Sequence, residues 1–281
     1  MGRKLIPAAI IYDFDGTLSP INMQEHEFIP RLGMTNSGFW RKVKSLSAEQ
    51  NACEILCYMH LMLAEAKHQD IPVNKAMMAG YGKDIELFKG VEEWFDRINS
   101  YAKKLGIRLH HFVVSSGVKP LIEGTRISKH FDEIFACDFL YDADGKPYAP
   151  GVAVDYTSKT QYIFRINKGC HRQSDNGMIN SFVPMDERPI PLENMIFIGD
   201  GSTDIPAMKM TSHYGGLAIA VHKPGSKTKK ASAVRLVREG RALAYAPADY
   251  RSDKSLERIV LRKLASISSQ WQMAEALKRA S

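Results

Sequence analysis

Asp13 and Asp15 stand two residues apart where an apolar run ends, in the stretch AAIIYDFDGTLSP at residues 8–20. The run reads as a short buried strand, bounded by Pro7 and followed by Gly16. On a strand, both carboxylates point to one face. Like charges this close raise each other's pKa, so the pair implies a cation or a proton-transfer task, although Asp-Gly is also a turn signal. A second apolar run at 195–198 leads through Gly199 to Asp200, with Asp204 four residues on. Ser115 closes another, IRLHHFVVSSG, and is followed by Ser116 and Gly117. Lys159 opens an expected helix, and Lys168 at its far end is the rival basic group. A cation in a helix's first turn opposes the helix dipole, so Lys159 requires a compensating partner.

These residues need a scaffold that gathers distant segments. Strand and helix signals alternate along the chain, which predicts a doubly wound α/β fold with a parallel sheet. Ligands in such sheets bind outside the carboxyl ends of the strands, near the switch in strand order. Ser47 with Gln50 reads as a capping box opening a helix in which Ile55, Leu56, Met59, Met62, Leu63 and Ala66 recur at helical spacing. Gly90 precedes an amphipathic helix carrying Val91, Trp94, Phe95, Ile98, Tyr101, Ala102 and Leu105 on one face, with Gly106 as its stop. The next strand is expected to end at Ser115. A third lies at 133–136, YDADGKPY reads as a hairpin turn, and a helix is expected over 159–167. Residues 169–194, with Pro184, Pro189 and Pro191, read as a loop insertion. A fifth strand over 215–221 and a helix over 255–265 complete the pattern.

The 281 residues, 44% hydrophobic and 25% charged, suit one large domain or a domain with a sizeable insertion. No apolar run approaches the roughly 20 residues that span a bilayer, and the apolar stretch near the N-terminus is too short for a signal peptide. A cytoplasmic protein is expected. Cys53 and Cys57, at i and i+4, could hold half a metal site, but no second pair completes it, so the four cysteines read as reduced and mostly buried. Of the net charge of +7, residues 221–241 hold seven Lys or Arg and one acid, Glu239. This segment reads as a solvated face near an anionic substrate, with nucleic-acid attraction as the alternative.

Four segments, DFDGT at 13–17, VVSSG at 113–117, TSKTQYIF at 157–164 and GDGSTD at 199–204, resemble in kind and order the motifs of the haloacid dehalogenase superfamily of phosphohydrolases. The resemblance spans residues 8–221 and is greatest to the phosphoserine phosphatase-like branch. It implies a Rossmann-like core of residues 1–20 and 84–281, and a helical cap of residues 21–83 between the first two motifs. It further implies Asp13 as a nucleophile forming an aspartyl-phosphate, and Asp15 as general acid and later base. Ser115 would bond a phosphoryl oxygen, assisted by the backbone N–H groups of Ser116 and Gly117. Lys159 would counter the phosphoryl charge, and Asp204 would orient Lys159 or a metal-bound water while capping the next helix. Mg2+ is the implied cofactor, with Asp13, Asp200 and the backbone carbonyl of Asp15 in its shell.

Two-step hydrolysis of a phosphomonoester needs a nucleophile, a cation and an acid for the leaving alkoxide. Halide leaves without a proton, so the second acid at Asp15 argues against carbon–halogen cleavage. Phosphoryl transfer to an organic acceptor stays open, and a non-catalytic nucleic-acid-binding module is the third reading. The glutamate of the phosphoserine branch would fall near Asn22, where no acid stands, which disfavours phosphoserine. Glu25, Glu27, Arg31, Phe39, Trp40 and Arg41 are candidates to read the leaving group. The expected partner is a small phosphomonoester, with neither membrane nor nucleic acid.

Overall fold

The computed structural model describes residues 5–201 and 203–280. In chain order the first elements are β1 (Ile6–Tyr12), α1 (Phe28–Arg31), α2 (Asn36–Gln50), α3 (Glu54–His68), α4 (Lys75–Gly82), α5 (Val91–Lys104), β2 (Ile107–Val118) and α6 (Lys119–Glu123). There follow β3 (Glu133–Tyr141), β4 (Pro147–Val152), α7 (Ser158–Lys168), α8 (Asn176–Asn180), β5 (Met195–Gly199), α9 (Ile205–His213), β6 (Leu217–His222), α10 (Lys227–Arg238), β7 (Ala244–Pro247) and α11 (Ser255–Ala280).

The seven strands form one sheet in the order β4-β3-β2-β1-β5-β6-β7. All neighbours are parallel except β3 and β4, the hairpin that YDADGKPY predicts. The apolar run of β1 is buried along nearly its whole length, as a central parallel strand covered on both faces must be. From β1 the chain winds outward to β2 and β3, then returns to β5 on the other side of β1. α5 packs on β2, α6 on β3, α9 on β5 and β6, and α10 on β6, with α7 against α9, and α11 comes back to pack on α5. The doubly wound expectation therefore holds, with its switch between β1 and β5.

Five expectations about elements need correction, one of them the third strand, which continues past Ala136 to Tyr141 as the first arm of the β3–β4 hairpin. The Ser47–Gln50 capping box does not form, because those residues are the last turn of α2. Asn51 adopts a left-handed conformation there, the Ala52 N–H returns to Ser47 O at 3.0 Å, and Ser47 Oγ donates to Ala52 O. The next helix opens at Glu54, without a side-chain cap. β2 continues past Ser115 to Val118, where its register against β3 shifts. Within 169–194 the short helix α8 and two 3-10 turns, Met185–Glu187 and Leu192–Asn194, interrupt the loop. Finally, α11 runs well beyond residue 265, because neither Gly nor Pro stops it and Ile267 and Ser268 extend the buried face of Leu256, Val260 and Leu264.

The helices α1–α4 lie between β1 and α5, with Phe39, Val43, Tyr58, Met59, Met62 and Met78 buried among them. α4 lies against α6 through two glycines. A methyl group at Gly82 would overlap the Leu121 carbonyl, and one at Gly124 the Ala79 carbonyl.

Candidate active site

β1 ends at Tyr12, so Asp13 and Asp15 stand in the loop after it, and the alternation of a strand is not what juxtaposes them. The Asp13 N–H still donates to Ile198 O of β5 at 2.9 Å, which fixes the nucleophile candidate at the sheet switch. The chain then folds tightly: the N–H groups of Thr17, Leu18 and Ser19 all reach Phe14 O at 2.8–3.2 Å. Gly16 has φ +75°, and a Cβ there would stand 2.6 Å from Asp200 Oδ2, so glycine is required twice over. Asp15 turns its Oδ1 to the Met23 N–H at 2.8 Å.

Lys159, in the first turn of α7, is fully buried, with Nζ 3.1 Å from Asp13 Oδ1 and 2.6 Å from Asp204 Oδ1. These are the partners its position against the helix dipole calls for. Lys168 instead ties the 169–194 excursion together, donating to Ile179 O and Ser181 O. Asp204 occupies the N-cap position of α9, yet its side chain does not cap. Its carboxylate accepts from Lys159 and from the Gly201 N–H at 3.2 Å instead. Ser115 Oγ is buried and accepts the Gly117 N–H at 3.0 Å. Carboxylate oxygens of Asp13, Asp200 and Asp204 lie within 4.8 Å of one another.

Acids outnumber bases in this buried cluster, and the ionisation shows it. Burial, then Asp204, push the Asp13 carboxyl up to about 7 against the pull of Lys159. Burial, then the Asp13 charge, hold the Asp15 carboxyl well above its ordinary range. Burial and Asp204 also raise Asp200. Burial works against the Lys159 charge, but Asp13 and Asp204 more than offset it and keep the ammonium protonated.

Above the cluster is a cavity of about 630 Å³. Asp13, Asp15, Ser115, Ser116, Gly117 and Asp200 line its core side, and Glu25, Trp40, Lys44, Glu54 and Tyr58 its helical side. Glu25 Oε1 is clamped by Asn22 Nδ2 and Trp40 Nε1, each at 2.6 Å. Of the six leaving-group candidates only Glu25 and Trp40 line this cavity. Glu27 and Arg31 pair with each other, Phe39 is buried edge-on to Trp40, and Arg41 is exposed. Sequence reasoning missed Gln24, Lys44, Glu54, Tyr58 and Lys229. Lys229 has a trace in the sequence, since it belongs to the basic segment 221–241; its Nζ lies 3.1 Å from Asp200 Oδ2. The four cysteines are free, with Cys53 Sγ facing Asp155 and Cys57 buried.

The model of the haloacid dehalogenase-like hydrolases matches residues 10–209, which hold every acid of the cluster and Lys159. The chain belongs to that family. A relative of this haloacid dehalogenase-like hydrolase, an uncharacterized protein of Borreliella burgdorferi, is 28% identical over 91% of this chain and 96% of its own. Solved structures show the same fold at lower identity. A HAD family hydrolase from Salmonella enterica serovar Typhi superposes with TM-score 0.55 at 16% identity, covering 87% of this chain and 68% of the other. A phosphoserine phosphatase in its apo form superposes with TM-score 0.54 at 19% identity, covering 90% and 98%. Among the described residues of this hydrolase, no helix is long and apolar enough to cross a membrane.

Proposed function

We propose that the protein is a Mg2+-dependent phosphatase that hydrolyses a small organic phosphomonoester through an aspartyl-phosphate on Asp13. The observation that carries this reading is the buried Asp13–Lys159–Asp204 chain with Asp200 beside it at the cavity floor. Three converging carboxylates, which are hard oxygen donors, with too little positive charge to balance them, fit Mg2+. Asp13 and Asp200 would hold it, and when bound it would supply charge neutralisation to the acids and to the phosphoryl oxygens.

The remaining work falls to this chain's own residues. Asp13 attacks phosphorus and Lys159 draws its carboxylate into position. Asp15 gives its proton to the departing alkoxide and takes one from the water that cleaves the aspartyl-phosphate. Its Oδ1 is occupied by the Met23 N–H, so Oδ2, which lies toward Gly117, carries that proton. Ser115 Oγ, held by the Gly117 N–H, and the Ser116 N–H receive phosphoryl oxygens at the end of β2. Residues 21–83 act as a cap whose side chains meet the leaving group. Soluble substrates and four free cysteines suit a cytoplasmic enzyme.

The expectation that phosphoserine ranks behind other monoesters rests on Asn22. Glu25 returns a carboxylate to the same wall, with Asn22 as its clamp, so phosphoserine belongs in any screen. The test is phosphate release from p-nitrophenyl phosphate, then from a panel of phosphometabolites, with Mg2+ and with excess chelator. Release that depends on Mg2+ is expected. Undiminished turnover in chelator removes the metal from the mechanism, and inertness toward every monoester removes the phosphatase reading.

A further inference from the structure

We propose that Lys229 is an exchangeable counter-ion: its ammonium holds the Asp200 carboxylate until Mg2+ binds, and the metal displaces it. The inference rests on the metal-dependent phosphatase reading and adds a residue that sets the affinity of that site. Lys229 Nζ lies 3.1 Å from Asp200 Oδ2, and among the described residues no other group donates to that carboxylate. The two partners differ in freedom. The Asp200 side chain is 16% exposed and sits against Gly16, where a Cβ would come within 2.6 Å of Oδ2, so the carboxylate stays in place. The Lys229 side chain is 59% exposed on a flexible stem, so the lysine is the partner that moves.

Two lysines thus meet the acid cluster in different ways. Lys159 is sealed between Asp13 and Asp204 and belongs to the buried framework. Lys229 forms an ion pair open to solvent, a kind that holds weakly. An ammonium and a dication on one carboxylate repel each other, so each weakens the other's hold, whereas a neutral donor in the same place would orient Asp200 without competing. Ser226 caps α10 by accepting the Lys229 N–H at 3.3 Å, which fixes the base of the side chain and leaves its end to swing. The released ammonium finds no acid on α10 to recapture it: the helix has none, and Glu239 just beyond it pairs with Arg235 and Arg241. Its helix keeps it in the lining of the same cavity.

The experiment titrates Mg2+ into the metal-free full-length protein by calorimetry at low salt. Lys229→Met is expected to bind Mg2+ ~2–5-fold more tightly than wild type, the range an exposed ion pair can supply, while Lys229→Arg and Lys227→Met stay close to wild type. The thermal midpoint gives a second readout: Lys229→Met is expected to fall below wild type in chelator and to match it at saturating Mg2+. Equal or weaker binding in Lys229→Met overturns the inference, since a lysine that orients Asp200 for the metal would give the weaker result. An equal gain in Lys227→Met, which lies exposed on the same helix, assigns the effect to the helix's overall charge and also overturns it, as does a midpoint gap that persists at saturation. With p-nitrophenyl phosphate turned over in Mg2+, any of these outcomes leaves the phosphatase reading standing. No uptake of Mg2+ by the wild-type protein overturns the metal's part in that reading and the inference with it.

Discussion

In the proposed mechanism Asp13 must be ionised for attack in a place where burial and neighbouring acids favour its proton, and this tension can be measured. Its pKa rises to about 7 in the folded chain, whereas the unfolded chain releases the proton near 3.8. Between those values the folded state holds a proton that the unfolded state has lost, so this group's contribution to stability falls as pH rises through the window. Asp13→Asn carries no such titration. In chelator, its thermal midpoint relative to wild type is expected to climb from pH 4 to pH 7, while turnover is abolished; a difference independent of pH rules this out. Asp15→Asn is expected to lose most activity on alkyl phosphates and least on p-nitrophenyl phosphate, whose leaving group needs no proton, as parallel kcat/KM series would show. Lys159→Ala is expected to cost ~100-fold or more in kcat and Lys168→Ala little, since of these two lysines Lys159 alone touches the acids. The motif residues are legible in the sequence because each lies within a few positions of a strand end. Lys229, Tyr58 and Gln24 reach the cavity through contacts between segments that no local spacing encodes.

Beneath the site, β1, β2 and α5 share a buried polar chain. Trp94 Nε1 donates to the Tyr12 hydroxyl at 2.8 Å, which bonds His111 Nδ1 at 3.0 Å, while His111 Nε2 meets Asn99 Oδ1 at 3.0 Å. With Tyr12 donating to Nδ1, the proton of the neutral ring sits on Nε2. Burial pushes the His111 pKa down to about 3, so the unfolded chain takes up a proton near pH 6.5 that the folded chain refuses. The stability this group supplies is complete above about 6.5 and declines as pH falls toward 3, by about 1.4 kcal/mol per pH unit. Denaturant midpoints for wild type and His111→Gln should therefore converge from pH 7 to pH 4; a constant gap refutes the assignment. Periodicity finds β2 and α5 readily, because each buries one continuous apolar set. It misplaces Ser47, since the same serine suits either end of a helix and the deciding feature is the left-handed backbone at Asn51. It also stops α11 early, because the face of Ile267 and Ser268 has meaning only against the core they cover.

At the scale of the molecule, the alternation of strands and helices is enough to anticipate the sheet, its switch point and the edge on which the acids collect. What alternation does not reveal is how the four intervening helices attach. The contact of α4 with α6 has no room for a side chain at Gly124, whereas Gly80, on the same helix α4, has nothing within 4 Å of its missing Cβ. Gly124→Ala is expected to destabilise by ~1–3 kcal/mol, and Gly80→Ala to stabilise by ~0.5–1 kcal/mol. Urea unfolding of the two variants checks both signs. The same contact bears on modular exchange between proteins of this architecture. A graft that lifts out residues 21–83 would strip away α4 and leave the α6 backbone around Gly124 bare, while the transplanted piece would carry an orphaned glycine face of its own. The seam that keeps this glycine contact whole falls between α3 and α4, within residues 69–74, so in a chimera α4 should travel with the sheet and not with the helices that precede it.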